Sequence, residues 1–427
     1  MRNYNYLKCR TVYQIFPRNY SKAGTLQEVT NDLERIKNLG IDIIYLLPVH
    51  PIGELNRKGT YGSPYAIKDY LAISPDLGTE EDLVALVEKA HSLKMKVIMD
   101  MVFNHMSRDA LLYQTHPEYF LISKSGKANR VGDWTDVMDL DLENKDVLTY
   151  LLGVLKHYRK LKVDGFRFDV CSLIPLTFFK KARKELGRKV IFIGESVEPS
   201  FIEYLHNEGY YAEEDVNLYP TFDATYNYNY FYELRKYFET KEQKYLDEVL
   251  IKIDNQEKIF PKDYLKLNCV ENHDQERIAS YFKGDALKSV IAFSFFIKGT
   301  AFLYAGEEYR DEVRPPLFDK QPVKLEGNKN FYQFIKKLIR FKKSKQYRKL
   351  DEFCFIKTPL EHFVLASGFS EKTRYYGLFN FVNEPRKVKI PRGHYVDILN
   401  HPTKVIIIGN NDEIEVKGPM ILKQIDL

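Results

Sequence analysis

The sequence predicts an α/β protein, a parallel (β/α)8 TIM barrel followed by a small antiparallel β-sandwich. Short apolar runs alternate with longer amphipathic runs eight times over the first four-fifths of the chain. The pattern then changes to short alternating runs divided by Gly, Pro, Asn and Asp, which is typical of antiparallel sheets. Polar side chains also follow four of the predicted barrel strands, at the end where barrel enzymes keep their sites.

The length of the chain supports this division. A chain of 427 residues exceeds the usual single domain and predicts one large domain with a small one. We place the barrel at residues 1–346 and an all-β domain at residues 347–427. Within the barrel, residues 103–144 form a short inserted loop domain after the third strand.

The first five strand–helix repeats are clear. The segments TVYQIF, IDIIYLL, KVIMDMV, VDGFRFDV and VIFIGES are apolar and short enough for buried strands. The segment LQEVTNDLERIKNLG has an apolar helical face and a stop signal at Gly40. Thr79 precedes three acidic residues and is predicted to cap the next helix.

The later repeats complete the prediction. We place the sixth strand near Thr221–Tyr226, before one long helical region through Leu246 and Ile253, with LKLNCVE and GTAFLYAG as strands seven and eight. An open doubly wound sheet is the alternative, but no Gly-rich fingerprint follows the first strand. Two long loops, residues 48–70 and 104–144, leave the predicted C-terminal face of the barrel, and loops of this length are usually functional. In the C-terminal domain seven segments are predicted as strands: FCFIKT, HFVLASGF, RYYGLFNFV, KVKIP, YVDIL, KVIIIG and EIEVKG.

Composition narrows the function classes. Lys+Arg 64 against Asp+Glu 59 leaves a net charge of +5, which argues against a dedicated nucleic-acid binder. The four cysteines are far apart and lack metal-ligand spacing, so reduced thiols are expected. No apolar signal segment opens the chain, and its most apolar stretch is broken at Lys298 and Gly299. We therefore expect a cytoplasmic protein, monomer or homodimer, without membrane contact.

The segment VDGFRFDV carries the most informative pair. Arg167 and Asp169 are two residues apart on a strand and point the same way. A guanidinium beside a carboxylate keeps the carboxylate ionised and orients it, as a nucleophile requires. Taken by itself, the motif favours a salt-bridged strand end over a catalytic site. The other polar groups at predicted strand ends are Asp100, Asn104 and His105 in DMVFNH, Glu195 in FIGES, and Asn272, His273 and Asp274 in VENHD.

The order DMVFNH, GFRFD, GES, ENHD resembles the four signature regions of the α-amylase family, glycoside hydrolase family 13. The segments SPYAIKDY, DLDLEN and GTAFLYAGEE are similar to further motifs of that family, so the resemblance covers nearly the whole chain. HPIGELNRKGTYGSPYAIKDY looks like its compact, intracellular bacterial branch, the maltogenic amylase type.

The resemblance implies a role for each carboxylate. Asp169 would attack the anomeric carbon, and Glu195 would protonate the leaving oxygen and then activate water. Asp274 would bind sugar hydroxyls and stabilise distortion toward the transition state. Burial and neighbouring carboxylates would raise the pKa of Glu195, while Arg167 keeps Asp169 charged.

Substrate contacts are implied in the same way. His105 and His273 would hydrogen-bond the sugar at the cleaved position, and Tyr65 would stack beneath it, although Tyr65 also suits loop packing. The position of Asn104 ligates a structural calcium ion in many relatives. No clear set of partner oxygens accompanies it here, so calcium stays open and no cofactor is required. Ala66 stands where many α-glucosidase-type relatives carry Asp.

The expected activity is retaining hydrolysis of α-1,4 bonds in malto-oligosaccharides or starch-derived glucans. A 4-α-glucanotransferase or an α-glucosidase would use the same residues, since a transferase differs only in whether sugar or water attacks the intermediate. A relative that binds sugar without cleaving it is the more distant alternative. Product size is expected to depend on the two long loops.

Overall fold

The computed structural model describes residues 3–121 and 134–425. Within these ranges eight parallel strands close into a barrel in the order β1-β8-β7-β6-β5-β4-β3-β2, which confirms the predicted fold. The barrel strands are Thr11–Ile15 (β1), Ile43–Leu46 (β2), Lys96–Met101 (β3), Gly165–Phe168 (β4), Ile191–Gly194 (β5), Ala224–Tyr226 (β6), Lys266–Asn268 (β7) and Thr300–Tyr304 (β8).

Helices surround the barrel. Those of nine residues or more are Leu26–Leu39, Glu80–Ser92, Lys145–Lys160, Leu176–Leu186, Pro199–Asn207, Phe231–Thr240, Gln243–Ile259, Gly284–Phe296 and Lys329–Lys342. The predicted stop at Gly40 is confirmed, because this glycine has φ 113° and closes its helix. Thr79 caps the next helix through a reciprocal pair of hydrogen bonds with Asp82.

Shorter helical turns lie in the loops and at the chain's first described residues. They are Tyr4–Leu7, Pro17–Tyr20, Leu111–Thr115, Asp215–Leu218, Ile278–Tyr281 and Lys345–Arg348. None of the helices in the described ranges has the length and apolar character that crossing a bilayer requires.

Two predictions near the sixth strand are wrong in detail. The strand begins at Ala224 rather than Thr221, because the backbone amides of Thr221 and Phe222 both donate to Leu218 in a turn. The long helical region after it is two helices. Lys241 has φ 59°, a left-handed conformation that ends the first helix before the second begins at Gln243.

The C-terminal domain has eight strands among the described residues, one more than predicted. They are Glu352–Ile356 (β9), Phe363–Ser370 (β10), Thr373–Asn380 (β11), Arg386–Lys389 (β12), Gly393–Asp397 (β13), His401–Ile408 (β14), Glu413–Val416 (β15) and Met420–Gln424 (β16). A six-stranded antiparallel sheet runs β9-β10-β11-β16-β13-β14, and β12 pairs with β15. The missed strand β16 lies inside the larger sheet.

Among the described residues, one apolar core lies inside the C-terminal domain and another joins that domain to the barrel. Leu365, Tyr376 and Tyr395 of the larger sheet pack with Val388 and Val416 of the smaller one, as expected of a sandwich. The opposite face of the larger sheet packs on the barrel. There the Phe379 ring lies 5.8 Å from Phe293 and 5.6 Å from Phe296, so barrel and sandwich share one continuous core.

The insertion after β3 is small. His105–Ser107 pairs with Val137–Asp139 in a short antiparallel ribbon, with His105 opposite Asp139. The predicted inserted segment 103–144 includes residues 122–133, which lie outside the described residues.

Candidate active site

The polar residues predicted from strand ends meet at one mouth of the barrel. Parallel strands bring their carboxyl ends to a common face, so residues far apart in sequence become neighbours there. A cleft of about 680 Å³ opens at this face. Five of the predicted site residues line it: Tyr65, His105, Asp169, Glu195 and Asp274. The remaining two, Arg167 and His273, are buried immediately behind its wall.

Arg167 lies at the centre of the carboxylates and is 1% exposed. Its Nη1 donates to Asp169 Oδ1 at 2.8 Å and to both Asp100 oxygens at 2.9 and 3.1 Å. Its Nη2 lies 2.6 Å from Glu195 Oε1. The sequence predicted only the pairing with Asp169. The structure shows one guanidinium holding three carboxylates in a fixed arrangement.

Burial and mutual repulsion act on the pKa values of the carboxylates around Arg167. Burial raises the pKa of Asp169 well above its usual range, with Arg167 opposing and Glu195 and Asp100 adding to the rise. Burial also raises the pKa of Asp100. Arg167 acts in the predicted direction by lowering the pKa of Asp169, and the expectation that it keeps Asp169 charged stays a prediction. Carboxylates this close disfavour one another's ionisation, and a retaining glycosidase needs one of its two carboxyl groups protonated and the other ionised.

The backbone after Asp169 is strained. Val170 has φ 33° and ψ 48°, a left-handed conformation that is costly for a β-branched residue. In this conformation its N–H donates to Glu195 Oε2 at 3.0 Å. Tyr228 lies 3.4 Å from the other Glu195 oxygen. The turn after Asp169 thus fixes the orientation of Glu195.

Gln14, which the sequence analysis did not select, holds His273. Its Oε1 accepts from the His273 backbone N–H at 3.2 Å, so its Nε2 faces His273 Nδ1 at 3.0 Å and donates to it. The proton of the neutral imidazole therefore sits on Nε2. That nitrogen lies 2.5 Å from Tyr65 Oη and 3.1 Å from Asp274 Oδ2.

Burial, with Arg167 adding to it, lowers the pKa of His273 to about 4. The imidazole is therefore neutral at physiological pH and presents one N–H toward Asp274. The Asp274 side chain keeps 40% of its surface open to the cleft, although desolvation at this depth raises the pKa of its carboxyl. The only sequence signal for Gln14 is an amide within the apolar strand TVYQIF.

Tyr65 and His105 both line the cleft. The Tyr65 ring stacks on the His273 ring at 5.4 Å, and its hydroxyl lies 3.2 Å from Asp100 Oδ2. His105 packs against Trp134 with ring centroids 5.1 Å apart. These rings give the cleft the aromatic surfaces on which pyranose faces stack.

Asn104 has a local structural role. Its Nδ2 lies 3.1 Å from His105 Nδ1 and 3.3 Å from Asp139 Oδ1, across the short ribbon after β3. Over the described ranges, no three or more His, Cys, Asp or Glu side chains are grouped to hold a metal ion. Calcium at Asn104 stays a prediction, and nothing in the site depends on it.

The fold and the site together define a barrel enzyme whose active site is built on a group of carboxylates, as in glycosidases. A family model described as alpha amylase, catalytic domain, matches residues 14–135 and 132–312. The chain belongs to the alpha-amylase family, as the motif order indicated.

Solved structures agree along the whole chain. An alpha-amylase from Lactobacillus plantarum is 34% identical, with a TM-score of 0.90 over 99% of this chain and 100% of that one. A noncanonic maltogenic alpha-amylase from Thermotoga neapolitana is 30% identical, with a TM-score of 0.85 over 98% and 99%.

Curated relatives are longer than this chain. A cyclomaltodextrinase of Thermoanaerobacter pseudethanolicus is 24% identical over 86% of this chain and 68% of its own length. An intracellular maltogenic amylase of Bacillus subtilis is 26% identical over 75% and 55%. The chain thus matches between about half and two-thirds of these proteins.

Proposed function

We propose that this chain is a retaining hydrolase of α-1,4 bonds in malto-oligosaccharides. The observation that carries the proposal is the arrangement around Arg167, which places Asp169 and Glu195 on one guanidinium at the floor of an aromatic-walled cleft. Two carboxyl groups flanking one bond are what double displacement at a sugar requires.

The first step joins the sugar to the enzyme. An Asp169 oxygen attacks the anomeric carbon, the bond to the leaving oxygen breaks, and Glu195 gives its proton to that oxygen. The step requires a proton on Glu195 and a charge on Asp169, and repulsion among neighbouring carboxylates disfavours the ionisation of all of them at once. Asp274, with His273 Nε2–H beside it, is placed to bind sugar hydroxyls.

The second step releases the sugar. Glu195, now ionised, takes a proton from water, and the water oxygen attacks the anomeric carbon while the bond to Asp169 breaks. A sugar hydroxyl in place of water makes the enzyme a 4-α-glucanotransferase with the same residues. The cytoplasm, where imported oligosaccharides occur, is the compartment we propose. The names of the relatives support both the substrate and the compartment.

The test is incubation of the purified protein with maltoheptaose, with products followed by chromatography and Asp169→Asn in parallel. We expect shorter oligosaccharides from the wild type and a loss of at least about a thousandfold in the variant. Products longer than the substrate would indicate transfer. Sugar binding without turnover by the wild type would replace the hydrolase proposal with a binding function, and undiminished turnover by the variant would remove Asp169 from its role.

A further inference from the structure

A chain of hydrogen bonds joins the loops after β5, β6 and β7, which are neighbouring strands of the barrel. Asn272 is fully buried and lies within this chain. Its Oδ1 accepts from the Asp274 N–H at 2.9 Å, and its Nδ2 donates to Tyr228 Oη at 3.0 Å. Tyr228 Oη in turn lies 3.4 Å from Glu195 Oε1. One amide thus connects the loop that carries Asp274 with the side chain of Glu195.

The direction of each hydrogen bond in the chain follows from the first one. A backbone N–H can only donate, so the Asn272 atom that faces the Asp274 N–H is the amide oxygen. The amide nitrogen therefore faces Tyr228 and donates to the phenol oxygen. Burial raises the pKa of Tyr228 well above its usual range, so the phenol keeps its own hydrogen. Because the phenol oxygen accepts from Asn272, that hydrogen is directed to Glu195 Oε1.

The Tyr228 hydroxyl adds a third donor to the Glu195 carboxyl. Arg167 Nη2 lies 2.6 Å from Oε1, and the Val170 N–H donates to Oε2 at 3.0 Å. Arg167 divides its donors among three carboxylates, whereas the Tyr228 hydrogen is directed to Glu195. Donors stabilise a carboxylate more than a carboxylic acid, and hydrogen bonds at catalytic groups commonly shorten in the transition state. The hydroxyl therefore matters most when Glu195 becomes charged.

We propose that Asn272 is a positioning residue for the acid step, because it directs the Tyr228 hydroxyl hydrogen to Glu195. Tyr228 stabilises the negative charge that forms on Glu195 as the Glu195 proton passes to the leaving oxygen. Tyr228 keeps its own proton throughout, so the proton balance of the step is unchanged. The inference rests on the proposed hydrolase function and adds to it two residues from the loops after β6 and β7.

Two substrates separate the acid step from the rest of catalysis. Maltoheptaose has a sugar alcohol as its leaving group and needs the proton of Glu195, whereas the leaving group of a dinitrophenyl maltoside departs without one. For each protein we compare kcat/KM on maltoheptaose with kcat/KM on the aryl maltoside. We call the first value divided by the second the substrate ratio. A variant whose defect is only structural should lower both values together and leave the substrate ratio unchanged.

Tyr228→Phe removes the hydroxyl and keeps the ring. We expect kcat/KM on maltoheptaose to fall by about tenfold, which is the lower end of what a hydrogen bond to a charged group contributes. The lower end applies because the 3.4 Å bond is long. On the aryl maltoside the change should stay under about twofold, since no proton is needed there.

Asn272→Asp keeps an acceptor for the Asp274 N–H but replaces the amide donor by an oxygen. Measured at about pH 8, where the new carboxyl is ionised, it should accept the Tyr228 hydrogen and withdraw it from Glu195. The substrate ratio should fall by about tenfold, as in Tyr228→Phe. Asn272→Ala adds no charge and releases the Tyr228 hydroxyl. It should lower the same ratio by about threefold or more, and it serves as the second variant if the buried carboxylate prevents folding.

The double variant Tyr228→Phe with Asn272→Asp tests whether Asn272 acts through Tyr228. Asn272→Asp should lower the substrate ratio by under about threefold in the Tyr228→Phe background, against about tenfold in the wild-type background. An equal fall in both backgrounds would overturn the proposal, because the new charge would then act on Glu195 directly.

Asn227→Asp is the matched control. Asn227 is buried, precedes Tyr228 in the chain, and donates through its amide nitrogen to Asn268 Oδ1 at 2.8 Å. The substitution therefore also turns a buried amide donor into an acceptor, but away from Glu195. Any loss of activity should be equal on the two substrates, so the substrate ratio should stay at the wild-type value.

Losses of equal size on both substrates in Tyr228→Phe would overturn the role of the hydroxyl. An unchanged substrate ratio in the Asn272 variants would remove Asn272 from the acid step. Failure of the proposed function gives a different result, since the wild type would then cleave neither maltoheptaose nor the aryl maltoside.

Discussion

Gln14 and His273 are joined by two hydrogen bonds, which we call the Gln14–His273 clamp. The clamp allows a test of which imidazole nitrogen of His273 carries the proton. In wild type the Gln14 amide donates to Nδ1, which places the imidazole proton on Nε2, toward Asp274 and Tyr65. Gln14→Glu keeps the size and shape of the side chain but removes that donor. The new carboxylate can only accept, so it draws a proton onto Nδ1.

The size of the effect follows from the geometry. At the 3.0 Å that separates Gln14 Nε2 from His273 Nδ1, a carboxylate and an imidazolium attract by about 5–6 kcal/mol at an effective dielectric constant near 20. Because position 14 is fully buried, desolvation of the new carboxylate offsets part of this attraction. We expect the pKa of His273 to rise from about 4 to between about 6 and 7.

The position of the imidazole proton determines whether kcat/KM of Gln14→Glu rises or falls with pH. Above the new pKa the neutral imidazole carries its proton on Nδ1, so Nε2 presents a bare lone pair to the Asp274 carboxylate. Losing that donor costs about 1–3 kcal/mol, which lowers kcat/KM by roughly tenfold to a hundredfold. Below it, the imidazolium has protons on both nitrogens. The ratio of variant to wild-type kcat/KM should therefore rise as pH falls from 8 to 5.5.

The assay is kcat/KM on maltoheptaose across this pH range, with nitrogen NMR of His273 to assign the tautomer. Gln256→Glu is the matched control, since Gln256 is equally buried and donates to Asn227 at 2.7 Å, away from the imidazole. A ratio that stays constant with pH, or an Nε2–H tautomer that persists in Gln14→Glu at pH 8, would refute the assignment.

Three further predictions use other parts of the molecule. Glu195→Gln should lower kcat on maltoheptaose by about a hundredfold to ten-thousandfold. The loss should be far smaller on a dinitrophenyl maltoside, because its leaving group needs no proton, and equal losses on both substrates would contradict the acid role of Glu195. Gly165→Ala should lower the free energy of unfolding in urea by about 1–3 kcal/mol or more, since a Cβ there would lie 2.3 Å from the Ile191 carbonyl oxygen; unchanged stability would show that β4 and β5 can separate. Burial lowers the pKa of His50 from 6.5 to about 4, so its imidazole stays neutral in the folded protein and the free energy of unfolding of the wild type should fall as pH drops from 6.5 to 4. His50→Gln should lose up to about 3 kcal/mol less over that pH range. The same fall in both proteins would contradict this prediction.

The barrel and most of its site could be predicted because each depends on local patterns. Apolar runs of strand length fix where each strand lies, and the residue after each strand end falls on the common face whatever the exact curvature. Asp169, Glu195 and Asp274 followed from this rule, with the motif order supporting it. The strand Met420–Gln424 was missed because it follows closely after the previous strand and alternates over only a few residues.

Contacts between residues of different strands could not be predicted from the sequence. Arg167 is two residues from Asp169, but its distances to Asp100 and Glu195 depend on how β3, β4 and β5 sit side by side. The role of Gln14 depends on β1 and β7 lying on either side of β8 in the closed barrel. Neither spatial relation leaves a periodic pattern in the sequence, because both arise only when the sheet closes.

The segment of residues 56–62, in the loop after β2, makes contacts that were unpredictable for a different reason. Several of its contacts use backbone N–H and carbonyl groups, which every residue possesses, so the sequence offers no signal beyond the length of the loop and the glycine at position 59. Loops of this kind vary more readily than the strands that carry them.

Substitutions in the two parts of the site should therefore have different effects on activity. The carboxylates, Arg167 and the Gln14–His273 clamp stand on or directly after barrel strands, where neighbouring backbones fix them and small displacements cost rate. Lys58, in the loop after β2, lines the cleft and is not one of the ion-pair partners of Arg167. Strand-end variants should accordingly lower kcat, whereas variants of the loop after β2 should alter the product pattern, and a product pattern unchanged by Lys58→Ala would contradict this division.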